Sequence, residues 1–201
     1  MTSSEGDLRS RRRSATAREI HEATLRLAAR HGYDHVTVDM ISTEAGVSRR
    51  TFFNYYPSKE AAVVAGPKSL PEPALSVFLA GPSDGPAQVL RDLNELLLRE
   101  LEQNQPARDD LRQVMALAQE HPAILAHLLG NFDAFERVVA AAVAQRLGAE
   151  PDDEVPALLA ALALSTTRTG LQRWAHGPSL DTSPVSEVER TAALLHSLLI
   201  T

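Results

Sequence analysis

The spacing of apolar and polar residues predicts helices along the whole chain. The first is predicted at Ser14–His31 and ends at Gly32, with an apolar stripe at helical spacing formed by Ile20, Ala23, Leu27 and Ala28. Two shorter helices are predicted at Val38–Glu44 and Arg49 to about Tyr55, and a new helix is predicted after Ser58. The period-2 alternation of a half-buried strand is not visible anywhere, so the sequence predicts an all-α fold.

The second part of the chain follows a segment rich in proline and glycine, Gly66–Gly85, in which Ala74–Leu79 is predicted as a helical turn. Longer helices are predicted beyond it, each beginning near a proline or an acidic cap, at about Pro86–Gln103, Pro106–Glu120, Pro122–Leu147, Glu154–Ala175 and Pro184–Leu199. We therefore expect a flexible basic arm at residues 1–13, a small domain at 14–65 and a larger helical domain at 66–201.

The charge is divided unevenly between these parts. The formal net charge is −6, yet residues 1–60 carry 10 Lys and Arg against 8 Asp and Glu, while the remainder carries 10 against 18. A polyanion would therefore be attracted to the N-terminal part of the chain and discouraged by the rest. The clustered arginines of the arm (Arg9, Arg11, Arg12 and Arg13) are expected either to be solvated or to reach DNA phosphates or the minor groove.

Composition excludes several other classes of protein. The 201 residues include no cysteine, which excludes disulfides and thiolate metal sites. An apolar run of about 18 residues is not found, and the N-terminal arginines are not followed by the apolar region of a secretory signal. We therefore expect a cytoplasmic protein that has no metal or cofactor.

The segment from Thr37 to Glu60 has the pattern of a helix-turn-helix, with its turn at Ala45-Gly46-Val47-Ser48. If Phe52 and Tyr56, four residues apart, face the core, other faces of the second helix carry groups suited to base edges, namely Arg49, Arg50, Phe53 and Asn54. Donors suited to phosphate oxygens are Thr37, Ser48, Thr51, Tyr55 and Lys59. Periodicity alone leaves a second interpretation open, in which these residues simply form the exposed face of a three-helix bundle.

This segment resembles the DNA-binding domain of the TetR family of bacterial transcriptional regulators. The resemblance covers about the first 65 residues and rests on the helix that ends at Gly32, on Thr37, on Ala45-Gly46-Val47-Ser48 and on Thr51-Phe52-Phe53-Asn54-Tyr55-Tyr56-Pro57-Ser58-Lys59-Glu60. It implies the base-facing and phosphate-facing roles given above, with Phe52 and Tyr56 in the core. The resemblance further implies a bacterial protein that associates with the nucleoid when it is bound to DNA. Asp39 departs from the pattern: a carboxylate there repels phosphate, although it can accept from a cytosine amino group, and its role stays open.

The resemblance also implies a homodimer, formed by the last two long helices in a four-helix bundle, which binds a palindromic operator. The face formed by Leu158, Leu162, Ser165 and Thr169 suits such pairing, and Gly170 would let another helix approach. The last helix carries Leu194, Leu195, Leu198 and Leu199, which is more apolar surface than a lone terminal helix normally exposes. The alternative is that these residues pack only within the chain.

A small-molecule effector is implied as well, bound in the larger domain and releasing the operator, with repression as the family default. Ligand-binding candidates are Met115, His127, Asn131, Phe135, Arg168 and Trp174, although most residues of this kind belong to ordinary cores. The runs TFFNYYPSKEAAV and GLQRW resemble an actinobacterial subgroup with an acyl-CoA-like ligand-binding C-terminal domain. This implies a fatty acyl group or its CoA thioester, with an aromatic drug and a role in regulating efflux as the rival.

Two other functions compete with regulation. An enzyme is disfavoured because motifs such as HExxH, GxSxG and the phosphate-binding loops are absent, and Gly32 separates His31 from His35 as helical metal ligands. A helical protein-interaction adaptor is the second alternative, but it would not need the pattern from Arg49 to Lys59.

Overall fold

The structure, a computed structural model, describes residues 3–67, 69–150, 152–179 and 181–199, with the backbone alone for residues 3–11 and 199. Within these ranges the chain forms α-helices, one short 3-10 helix and no strand, which confirms the all-α prediction. The elements are α1 (Ser3–His31), the 3-10 helix (Tyr33–His35), α2 (Val38–Glu44), α3 (Arg49–Tyr55), α4 (Lys59–Val63), α5 (Glu72–Leu79), α6 (Pro86–Gln103), α7 (Arg108–Glu120), α8 (Pro122–Leu147), α9 (Glu154–His176) and α10 (Pro184–Leu199).

The largest difference from the predicted helices is at the N-terminus. Helix α1 begins at Ser3, whereas the sequence predicted a start at Ser14. Because arginine has a high helix propensity and no proline interrupts residues 3–31, the helix can continue backwards through the basic run. The predicted flexible arm is therefore helical from Ser3 to Arg13. Met1 and Thr2, and the side chains of Arg9 and Arg11, lie outside the described residues.

The chain divides into two compact units. The first comprises the residues up to Gly66 together with Gln113–Leu129, and the second comprises Pro67–Arg112 and the residues from Gly130 onward. Helices α7 and α8 thus contribute residues to both units. The sequence-based division had placed everything after residue 65 in the larger domain, because no change in composition marks Gln113–Leu129.

The first unit is built around the apolar stripe of α1. Ile20 and Ala23 are fully buried, and so are Ile41 of α2 and Phe52 of α3. The Tyr56 hydroxyl donates to the carbonyl of Ala17 at 3.0 Å, and the Gln113 amide donates to the carbonyl of Leu25 at 2.7 Å. These contacts attach both α3 and the α7 segment of this unit to α1.

The core of the second unit joins α6, α8 and α9, with Leu93, Val139, Val143, Ala160 and Ala163 fully buried. A Cβ atom at Gly170 would lie 2.5 Å from the Val188 Cα atom, so a side chain there would collide with the backbone of α10. The close approach predicted at Gly170 is therefore made by a helix of the same chain.

None of the helices in the described ranges combines the length and the apolar character needed to cross a bilayer.

Candidate nucleic-acid interface

The turn between α2 and α3 is fixed by backbone and capping interactions. Gly46 has a φ of +64°, which lies in the left-handed region that favours glycine. The Ser48 hydroxyl accepts from the Thr51 backbone N–H at 3.0 Å, and the two hydroxyl oxygens are 2.8 Å apart. Thr37 caps α2 in the same way, accepting from the Met40 N–H at 3.3 Å. Interactions within a few residues of the turn therefore stabilise the predicted helix-turn-helix.

Helix α3 has one buried face and one exposed face. Phe52 is fully buried and Tyr56 is 8% exposed, which confirms that both are core residues. Phe53 is 49% exposed and lies edge-on to Phe52, with the ring centroids 5.3 Å apart. Arg50 and Asn54 are exposed on the same helix. The residues predicted to face bases are thus held at the surface by a short helix whose other side is anchored in the core.

Arg49 has a partner that the sequence did not predict. Its Nη1 atom lies 3.2 Å from Oδ2 of Asp39, in the first turn of α2. Both side chains are mostly exposed, at 62% and 65%. An exposed ion pair of this kind contributes at most about 1 kcal/mol, so a stronger ligand can rearrange it. No ion pair to Arg50 occurs within the described ranges.

Lys59 is held more tightly than its predicted role as a phosphate ligand suggests. Its ammonium group donates to the carbonyls of Tyr33 and Val36 at 3.2 and 3.1 Å, and lies 4.4 Å from the centroid of the Tyr33 ring. An ammonium has three donors, so two of them already have acceptors in this structure. Lys59 therefore links α4 to the 3-10 helix, and one N–H is left for a phosphate.

The Tyr33 ring is at the centre of a polar cluster in the first unit. Its hydroxyl donates to Oε1 of Glu60 at 3.0 Å, and its ring lies 4.6 Å from the His121 ring. Burial, followed by the bond to Glu60, raises the pKa of Tyr33 well above its usual value. Burial opposes the charge on Glu60, but hydrogen bonds from its own backbone, Ser58 and Tyr33 outweigh it, and the pKa of that carboxyl is lowered.

Tyr55 has a cation beside its ring that could not be anticipated from local sequence. The guanidinium carbon of Arg13 lies 5.8 Å from the Tyr55 ring centroid. Arg13 belongs to the predicted basic arm, and its inclusion in α1 brings it to the C-terminal end of α3. The exposed side of α3 and its surroundings thus combine cations, an amide and aromatic edges, the groups that read base edges and phosphates in DNA.

The six predicted ligand-binding residues do not belong to one compact unit. Met115 and His127 are in the first unit, and the other four are in the second. The Trp174 ring N–H donates to the carbonyl of Thr182 at 2.8 Å, and the Arg168 guanidinium lies 5.4 Å from the Phe132 ring centroid. Phe135 is buried in the core, and Asn131 is half-buried. These six residues stay a prediction.

The second unit contains a cavity of about 410 Å³ between α5 and α6. Its apolar wall is formed by α5, chiefly Val77 and Phe78, and its polar wall by carboxylates and Arg99 of α6. Arg146 closes one side: its guanidinium is fully buried, pairs with Asp92, and stacks 4.6 Å from the Phe78 ring centroid. None of the six predicted residues lines this cavity. The sequence signal that could have identified this cavity is Arg146, a charged residue near the otherwise mostly apolar C-terminal end of α8.

Comparison with known proteins places the two parts of the chain in one family. The family model described as bacterial regulatory proteins, tetR family, matches residues 20–65, and the model described as the MftR C-terminal domain matches residues 88–197. A Mycobacterium tuberculosis protein, MftR, whose name refers to transcriptional regulation of mycofactocin biosynthesis, is 30% identical over 172 residues, covering 85% of each chain. An uncharacterized HTH-type regulator of Mycobacterium bovis is 32% identical over 106 residues, or 53% of this chain and 50% of that protein.

Solved structures show the same fold at lower identity. A regulator from Syntrophomonas wolfei aligns with a TM-score of 0.56 at 17% identity, covering 92% of this chain and 95% of that one. GusR of Salmonella enterica aligns with a TM-score of 0.51 at 21% identity, covering 92% and 93%. The two family models and the relative that is 30% identical over 85% of each chain show that this chain belongs to the TetR family of DNA-binding transcriptional regulators.

Proposed function

We propose that this chain is a ligand-responsive repressor that binds a palindromic operator as a homodimer and is released by a small apolar effector. The observation that carries the proposal is the exposed face of α3, on which Arg50, Phe53 and Asn54 lie outward while Phe52 and Tyr56 are buried. Bidentate bonds of arginine to guanine and of asparagine to adenine would supply base preference. Ser48, Thr51 and the remaining N–H of Lys59 would supply phosphate contacts.

The dimer would form through α9 and α10. Leucines on both helices are exposed, with Leu158 at 59%, Leu194 at 58% and Leu198 at 69%. Leu195 is half-buried against the core, and the side chain of Leu199 lies outside the described residues. A second copy would remove this apolar surface from water, and two recognition helices about 34–36 Å apart would match successive half-sites.

The effector would bind in the second unit. A cavity of about 410 Å³ is within the range of small-molecule sites, and its wall of Val77, Phe78 and Leu96 suits an apolar body. An acyl chain or acyl-CoA thioester remains our first candidate, as the sequence resemblance implies. To act, it must bind more tightly to the form of the dimer that does not fit the operator.

The DNA-reading role is tested with Arg49→Ala and Tyr55→Phe on a duplex selected by the wild-type protein from a randomised pool. We expect both variants to bind more weakly in a gel shift, and Arg49→Ala also to discriminate less between bases. Thr167→Ala, in the second unit, serves as the matched control and should bind as the wild type does. Unchanged affinity in both Arg49→Ala and Tyr55→Phe would refute the proposal that α3 reads DNA.

The assembly and the effector are tested separately. Light scattering at micromolar concentration should give the mass of a dimer, and Leu158→Glu with Leu194→Glu should give a monomer that binds the full operator weakly.

A long-chain acyl-CoA should lower the operator-bound fraction in fluorescence anisotropy, whereas free CoA should not. Release by an aromatic drug that does not itself bind DNA, without release by the acyl-CoA, would favour the rival effector class.

A further inference from the structure

The carboxylate of Asp39 is an unusual group to find on a DNA-reading surface. The Asp39 side chain is 65% exposed and lies in the first turn of α2, where it contacts Arg49 of α3. DNA carries a phosphate charge on each nucleotide, so an exposed carboxylate there weakens non-specific binding. A carboxylate in the first turn of α2 suits the helix dipole, and the contact with Arg49 indicates a second role for it.

We propose that Asp39 is a specificity-determining positioning residue, which holds the Arg49 guanidinium for a guanine and keeps it away from phosphates. This inference rests on the proposed base-reading role of Arg49. The bond from Arg49 Nη1 to Asp39 Oδ2, at 3.2 Å, joins two residues ten positions apart on different helices. It therefore favours one direction, by no more than an exposed ion pair contributes, for a long side chain that would otherwise sample many rotamers.

The geometry leaves the guanidinium able to bind a second acceptor. A guanidinium has five N–H donors, and Asp39 is bonded to Nη1 alone. Guanine presents two acceptors, O6 and N7, at the spacing of a bidentate arginine contact. A phosphate approaching the same guanidinium would also approach the Asp39 carboxylate and be repelled, whereas an uncharged guanine edge is repelled far less. The carboxylate thus favours base readout over backbone contact.

The backbone around Asp39 does not depend on its carboxylate. The cap of α2 is Thr37, and the Thr43 hydroxyl donates to the backbone carbonyl of Asp39 at 2.9 Å. Substitution of the exposed side chain therefore leaves these bonds in place. This allows Asp39→Asn to be examined in the folded protein.

The test compares wild type with Asp39→Asn and with Asp34→Asn, which removes an equal charge from an exposed residue of the same unit. Binding is measured by anisotropy on the duplex selected by the wild-type protein and on a duplex of unrelated sequence, over a range of salt concentrations. Asp39→Asn should bind the unrelated duplex more tightly and lower the ratio of specific to non-specific affinity about tenfold. The slope of log K against log salt should steepen by about 0.9, as one further phosphate contact requires.

The base pair affected identifies the mechanism. Asp39→Asn and Arg49→Ala should lose preference at the same guanine position when each base pair of the selected duplex is replaced in turn. Loss at a different position would overturn the positioning role and indicate that Asp39 itself reads a cytosine amino group. Equal effects of Asp39→Asn and Asp34→Asn would also overturn it, because charge alone would then explain the change.

The outcome is separable from the proposed function. If the wild-type protein shows no preference for the selected duplex, the base-reading assignment itself fails. If the wild type discriminates and Asp39→Asn discriminates equally well, only the inference about Asp39 fails. Asp39→Glu, which keeps the charge on a longer side chain, should retain more of the preference than Asp39→Asn.

Discussion

In the first unit, Arg49 and Arg50 lie on an exposed helix face, and the ion pair of Arg49 is made in solvent. In the second unit, Arg108, Arg112 and Arg146 instead donate to backbone carbonyls. Arg108 donates to the carbonyls of Trp174 and Ser179, at the end of α9 and in the loop that follows it. Arg112 donates to the carbonyl of Ala175, in the last turn of α9.

The difference separates two uses of the same side chain. Trp174 and Ala175 are buried, and a guanidinium bonded to their carbonyls stabilises the fold, because an unpaired buried carbonyl costs about 1–3 kcal/mol. A guanidinium left at the surface contributes little to stability and remains available to an external acceptor. Substitution of Arg108 or Arg146 should therefore lower stability. Substitution of Arg49 or Arg50 should instead weaken DNA binding.

The largest expected effect is at the buried pair of Arg146 and Asp92. Asp92→Ala leaves a fully buried guanidinium without its carboxylate, and we expect the free energy of unfolding to fall by about 3 kcal/mol. Asp39→Ala, which breaks the exposed pair with Arg49, should cost less than about 1 kcal/mol. Urea unfolding followed by circular dichroism, at one protein concentration, measures both.

A double substitution sharpens this comparison. Arg146→Met with Asp92→Leu removes both charges, and it should recover most of the stability lost in Asp92→Ala. If Asp92→Ala costs no more than Asp39→Ala, burial of the Arg146 guanidinium does not make the loss of its carboxylate partner more costly than the loss of an exposed one.

A smaller effect is expected at Arg108. Arg108→Ala removes charge-assisted bonds to two carbonyls and the contact with the Trp174 ring, 5.2 Å from its centroid. We expect a loss of about 2 kcal/mol in unfolding free energy, with DNA affinity unchanged in the folded protein. Arg50→Ala should give the reverse: stability within about 0.5 kcal/mol of wild type and weaker binding in a gel shift. A variant that moved both quantities equally would remove the distinction between the units.

Local signals explain why much of the first unit could be predicted from the sequence. The caps Thr37 and Ser48 and the turn at Gly46 act within a few residues, and the predicted bounds of α2 and α3 are confirmed. The spacing of Phe52 and Tyr56 determined which face of α3 is buried. The partner of Arg49 could not be predicted, because Asp39 meets it only when two helices cross.

The second unit depends more on contacts between distant residues. Arg146 and Asp92 are 54 positions apart, and no periodicity connects them. Helix bounds were still predictable there, since Pro86, Pro122 and Pro184 mark helix starts. The packing of Gln113–Leu129 with the first unit was not, because its composition matches that of the helices around it.

The smallest expected effect concerns two carboxyls whose pKa values shift in opposite directions. Burial disfavours the charged form of Glu60 in the first unit, but hydrogen bonds outweigh it and lower the pKa of that carboxyl from its ordinary 4.5. Burial raises the pKa of Glu100 in the second unit. The stabilisation from Glu60 is therefore present above pH 4.5 and is lost as the pH falls through its lowered folded pKa. The contribution of Glu100 is present at low pH and is lost as the pH rises through its raised folded pKa.

Glutamine substitutions separate the two carboxyls, because they remove titration and keep the shape of the side chain. Between neutral pH and the acid range, Glu60→Gln should flatten the loss of unfolding free energy on acidification, and Glu100→Gln should steepen it slightly. Urea unfolding of wild type and both variants over this range measures the difference. Because Glu60 accepts from the Tyr33 hydroxyl, Tyr33→Phe should reproduce part of the Glu60→Gln effect and leave the effect of Glu100→Gln unchanged. If the two glutamine variants shifted the pH profile in the same direction, hydrogen bonding at Glu60 would not outweigh its burial.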